Sequence, residues 1–201
     1  MEGSCSTTLK PSNLETFKLT LKAWPVIAAA TIGLCYLTQL VAGWFGIELP
    51  DQRNIDVVRQ CGLHALDSLK SFGVFAFLCA QVLVLLPAVE ELIFRGSMFK
   101  LPLRTMGKWT TDDRRHPTDG TGRSAEHRTA SAVTAILSSA LFSAAHYLFQ
   151  PFPDSAFIAL FFFGLAQCWL YRKTNRIWCA MLNHGLFNLT NLVLLFILPE
   201  A

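Results

Sequence analysis

Three groups of ionisable and amide side chains interrupt a chain that is otherwise apolar. Pro87-Ala-Val-Glu90-Glu91-Leu-Ile-Phe-Arg95-Gly96 sets two adjacent carboxylates and a guanidinium into the apolar run 72–99. Phe142-Ser-Ala-Ala-His146 sets an imidazole into a second run, and Asn183-His184-Gly-Leu-Phe-Asn188 an imidazole and an amide into a third. A carboxylate is expensive to bury in hydrocarbon or in a protein core, so one kept there has a partner or a task. Glu91 precedes Arg95 by four residues, the favourable helical order for an ion pair that largely cancels its charge and holds its side chain. Glu90 points about 100° round the helix from Glu91 and lacks that local partner, which leaves it free for proton transfer. His146 is a second acid–base group, with Phe142 on the same helical face. His184 and Asn188 share a face, with Asn191 a turn further on; donors on one stripe can bind a developing oxyanion or tie helices together. Glu90, Glu91, Arg95, His146, His184 and Asn188 are thus the candidate site, suited to activating a water with a carboxylate and an imidazole. Taken separately they also fit a structural ion pair with packing histidines, and their convergence in space decides between the two.

Long apolar segments must position these groups. The chain has 201 residues, 52% hydrophobic and 15% charged, a balance foreign to soluble domains. Runs free of Lys, Arg, Asp and Glu cover 24–45, 72–89, 130–149, 156–171 and 177–198. Most approach or exceed the roughly 20 residues that cross a bilayer, and the fourth is short unless Phe152 and its neighbours extend it. None carries the polar stripe of a soluble bundle. The expectation is an all-α, polytopic transmembrane bundle of about five spanning helices in the cell membrane. A polar segment 1–22 leads into one domain, 23–201. That segment is too long and mixed for a cleaved signal, so 24–45 reads as a retained helix. The six cysteines form no CxxC pair and read as packing residues.

Charge sets the orientation. Lys and Arg number three in 1–22, eight in 95–129 and three in 172–176, against three in 46–71 and none in 150–155 or 199–201. The alternation keeps step with five crossings and predicts an N-terminus inside and a C-terminus outside. Segment 46–71 has apolar residues at roughly helical spacing, as an interfacial helix or a plain loop would. Segment 107–128, rich in Thr, Asp, Arg and Gly, reads as a solvated cytoplasmic loop without a nucleic-acid signature. If helix runs from Phe72 to about Gly107 and restarts near Ala130, Glu90 and His146 each lie ~25 Å from the turn, level with one another. His184 lies ~12 Å from the start of its own helix, at a depth that agrees if the hairpin projects beyond the bilayer.

Glu90-Glu91-x-x-x-Arg95, Phe142-x-x-x-His146 and His184-x-x-x-Asn188, in this order, resemble the three motifs of the CAAX protease and bacteriocin-processing family, also called CPBP or Abi. The resemblance covers 72–195, including Phe163-Gly164 and the Trp178 region. It implies an intramembrane endopeptidase of glutamic type, related to the enzyme that removes the last three residues of prenylated CAAX proteins. By that likeness Glu90 and His146 activate the water, His184 and Asn188 stabilise the oxyanion, and Glu91 and Arg95 orient and support. The implied partners are the bilayer and a peptide or protein substrate, lipid-modified or membrane-tethered. The basic loop is longer than is usual in the family, which leaves a regulatory or partner-binding role open there. The helices are fewer than in the eukaryotic CAAX enzyme, so that part of the substrate groove is missing or supplied by a second subunit. No cofactor is implied. Zinc is the metal left open, since two Glu and two His can ligate it, although His-Glu-x-x-His is missing. The alternative on the same fold is a non-catalytic scaffold or bacteriocin self-immunity protein. A proton-coupled transporter fits less well, for want of paired inverted halves.

Overall fold

The computed structural model describes residues 12–47, 53–105, 123–149 and 154–198, all built from helices and short links. Helix α1, Asn13–Trp44, starts in a capping box. Ser12 Oγ accepts from the Glu15 N–H at 3.2 Å, and Glu15 Oε2 accepts from the Ser12 N–H at 2.7 Å. Thr16, Thr20 and Thr31 are buried along α1, and each hydroxyl donates to the carbonyl four residues back. That local bond lets a polar side chain sit in a water-free interface. Helix α2, Arg53–Leu63, realises the helical option for segment 46–71 and leaves Val57 and Leu63 exposed.

The segment that carries the carboxylates is one rod of mixed pitch. It comprises α3 (Leu69–Ala80), a π-helical segment Gln81–Leu85, α4 (Leu86–Glu91), a second π-helical segment Leu92–Lys100 and α5 (Leu101–Thr105). Its spanning part, Leu69–Arg104, has 36 residues. At 1.5 Å each that is ~54 Å, well beyond the ~30 Å of hydrocarbon, so the rod is long enough to project as expected. In the first π segment the Leu86 N–H bonds to Gln81 O, five residues back. In the same register Val82 O looks to residue 87, a proline without an N–H. One backbone carbonyl beside the site is therefore left for another helix to satisfy.

Helix α6, Arg123–Phe149, begins earlier than Ala130 and takes in the end of the polar segment 107–128. Ser124-Ala-Glu-His-Arg128 ends the apolar run without breaking the helix, because Ala, Glu and Arg are good helix formers. Residues 106–122 of that loop lie outside the described part. Helices α7 (Asp154–Thr174) and α8 (Ile177–Ile197) are joined by Asn175 and Arg176 alone, with Asn175 at φ 51°, a left-handed turn that Asn tolerates.

Among the described residues four helices are long and apolar enough to cross a membrane: α1, the 69–104 rod, the 128–148 part of α6, and α8. Helix α7, expected as a further crossing, has the same 21 residues as α8 but is more polar. It lies at the centre, packed on α1, α6, α8 and the second π segment. Its remaining face is apolar, with Ile158, Phe162 and Trp169 exposed. The outer surface elsewhere is apolar too, with Tyr36, Leu40, Phe77, Val84, Leu137 and Ile197 exposed. Cys168 and Cys179 are buried packing thiols, and Cys35, Cys61 and Cys79 are half-buried; all five are free of disulfides.

Candidate active site

The three groups converge. His146 Nε2 lies 3.7 Å and His184 Nε2 3.6 Å from the same atom, Glu90 Oε2. Glu90 and His146, expected at one depth from their distances to the loop, are level. Each imidazole is turned to face the carboxylate by a bond at its other nitrogen. His146 Nδ1 lies 2.9 Å from Phe142 O, an acceptor only, so Nδ1 carries the proton and Nε2 is directed at Glu90. His184 Nδ1 lies 3.0 Å from Glu91 Oε1, which likewise places its hydrogen on that side.

Glu91 is anchored in turn. Arg95 Nε sits 3.1 Å from Glu91 Oε2, and both side chains are fully buried. The contact is charge to charge without an aligned N–H···O bond, since neither atom has a hydrogen-bond partner. Arg95 Nη2 donates to Gly164 O at 3.1 Å, and the guanidinium carbon lies 4.6 Å from the Phe142 ring centroid. A chain of contacts runs from Gly164 through Arg95, Glu91 and His184 to Glu90. Glu90 itself is 23% exposed at the side chain, the most open member of the cluster.

Aromatic rings wall this chain. Phe142 stands 4.4 Å from the His146 ring and 5.9 Å from that of His184, and Phe163 stands 5.1 Å from His184. The role of Phe163 and Gly164 is not legible from motif spacing. The available signal is a glycine inside an apolar helix, which marks close backbone approach. That approach is real: a Cβ on Gly164 would stand 2.9 Å from Ser139 Cβ on α6. Small residues bring α6 close to α7, and Ser143 Oγ donates to Phe157 O at 2.6 Å. Ser138 Oγ donates to Phe94 O at 2.8 Å, tying α6 to the second π segment.

Asn188 is placed differently from the rest. Its Nδ2 donates to Val82 O at 2.8 Å, the carbonyl that Pro87 leaves without a backbone donor. One amide hydrogen of Asn188 thus clamps α8 to the rod, and the other stays available. Asn191, a turn further on, is exposed and adds nothing to the cluster. The arrangement offers a carboxylate oxygen flanked by two imidazole nitrogens, half-open on one side and rigidly backed on the other. It can take a proton from a small nucleophile and return it nearby.

A family model described as "Type II CAAX prenyl endopeptidase Rce1-like" matches residues 72–190, more than half of the chain and inclusive of all six candidate residues. No curated protein and no solved structure matches.

Proposed function

The chain belongs to the Rce1-like family of type II CAAX prenyl endopeptidases, and from that premise we propose a metal-free, glutamic-type peptide hydrolase working inside the membrane. The observation that carries the reading is the approach of two imidazoles, at 3.6 Å and 3.7 Å, to one oxygen of Glu90. Glu90 takes a proton from water while the water oxygen bonds to the peptide carbonyl carbon and the carbonyl pair moves to oxygen. His146 steadies the water. His184 Nε2–H and the free amide hydrogen of Asn188 are the donors for the oxyanion, and Glu91 balances the charge when His184 holds both protons. Collapse of the adduct breaks the C–N bond, and the proton on Glu90 passes to the leaving amine.

The substrate is a membrane-associated protein or peptide, since the cluster lies between helices built to meet hydrocarbon. We place the protein in the cell membrane, N-terminus inside, with the site nearer the cytoplasmic face, as the Lys and Arg distribution supports. The test compares wild type with Glu90→Ala in detergent on membrane-tethered peptides, with and without a chelator. Cleavage by wild type that survives chelation and vanishes in Glu90→Ala is expected. Loss of wild-type cleavage on chelation overturns the metal-free mechanism. Equal cleavage by Glu90→Ala overturns the role of Glu90, and no cleavage of any peptide overturns the hydrolase.

A further inference from the structure

A cavity of about 520 Å³ opens between α6 and α7, with none of the candidate site residues in its lining. Its polarity is graded along the helices. On α6 the lining runs from Arg128 through Ser131 to Ala135; on α7, which returns after residues 150–153, it runs from Lys173 and Arg172 through Trp169 to Leu165. Both helices therefore put their cations at one end and their apolar residues at the other. The α7 face from Leu165 to Lys173 covers ~12 Å at 1.5 Å per residue. No acidic side chain lines the cavity among the described residues. Arg172 is held in place, its Nη1 donating to Ser131 Oγ at 2.8 Å, while Arg128 and Lys173 are exposed. Trp169 is 46% exposed just below the cations, where an amphipathic ring sits at a membrane interface.

We propose that this cavity binds the headgroup of an anionic phospholipid, with the phosphate at Arg128, Arg172 and Lys173 and an acyl chain along Trp169, Leu165 and Ala135. Basic pockets between helices at the membrane surface select such headgroups, and the volume falls in the range of small-molecule sites. A free anion would need the cationic end alone. The apolar half, continuous with the lipid-facing surface of both helices, is what assigns the site to a lipid.

The test places the full chain in nanodiscs of phosphatidylglycerol and phosphatidylcholine in equal amounts and measures retained lipid by native mass spectrometry. Phosphatidylglycerol is expected to be retained over phosphatidylcholine. Arg128→Gln and Lys173→Gln should each lower that preference about fivefold, the worth of one cation beside an anionic surface. Lys70→Gln, at an exposed lysine on α3, should leave it unchanged. Melting temperature in detergent confirms that the variants fold. No preference in wild type, an undiminished preference when Arg128→Gln and Lys173→Gln are combined, or an equal loss in Lys70→Gln overturns the site. Displacement of the lipid by millimolar inorganic phosphate overturns the lipid assignment in favour of a free anion.

Discussion

Arg95 is fully buried and is held by the Glu91 carboxylate, the Gly164 carbonyl and the Phe142 ring. Removing one partner of such a pair strands the other charge, so Arg95→Met should lower stability by roughly 3–5 kcal/mol, read as thermal unfolding in detergent. Arg95→Lys should recover only part of this, because an ammonium cannot span the carboxylate and the carbonyl as a planar guanidinium does. Glu90→Gln is the contrasting change. It should stay within about 0.5 kcal/mol of wild type in stability while cleavage falls about 10²–10⁴-fold, the usual worth of acid–base assistance. The Glu91–Arg95 pair is legible in the sequence because it is local, one helical turn. The His184–Glu91 bond joins residues 93 apart. Depth counting brought the histidine level with both glutamates, but the choice between them depends on how α8 is rotated, which spacing does not encode.

At the level of the helix, Pro87, the π segment before it and Asn188 form one device. The proline withholds an N–H, the π register assigns that missing bond to Val82 O, and Asn188 supplies the donor from α8. Asn188→Ala should then leave a half-buried carbonyl unsatisfied and lower stability by about 1–3 kcal/mol. In a Pro87→Ala background the restored N–H can reach Val82 O, so the same substitution should cost clearly less. Unfolding of the two single variants and the double variant checks this, and strict additivity would break the link. Gly185 belongs to the same contact, since a Cβ there would collide with Leu83 O. The sequence announces a proline and an asparagine in apolar helices. Their mutual dependence is hidden, because a shift from four-residue to five-residue hydrogen bonding leaves no mark in residue type.

For the whole molecule, the count of crossings rests on α7. Among the described residues four helices qualify by apolarity, yet α7 is linked to α8 by two residues and to α6 by 150–153 only, and it packs along both. A helix of 21 residues, ~32 Å, tied so closely at each end is long enough to traverse the same slab as its neighbours. Reporter fusions should therefore place the two termini on opposite sides, the N-terminus and residues 106–122 in the cytoplasm. Termini on one side would remove α7 from the spanning set. The bundle and most of its helices were legible from apolar runs alone. The central position of α7 was not, because an apolar run does not tell which of its faces meet other helices and which meet lipid.

A five-residue hydrogen-bond register is, in the language of insertions and deletions, one residue more than an α-helix needs. The chain carries that surplus at Gln81–Leu85, directly ahead of the carboxylates, and Val84 there faces outward, 62% exposed. Deleting Val84 would let the rod run as plain α-helix from α3 into α4 while turning everything before it by about 100° and drawing it in by ~1.5 Å. The stretch that bears Glu90, Glu91 and Arg95 could keep its place while α3 presented another face to α8. Length variation at this one point would remodel the wall beside the site and release Asn188 from Val82 O, while the carboxylates stay where they are.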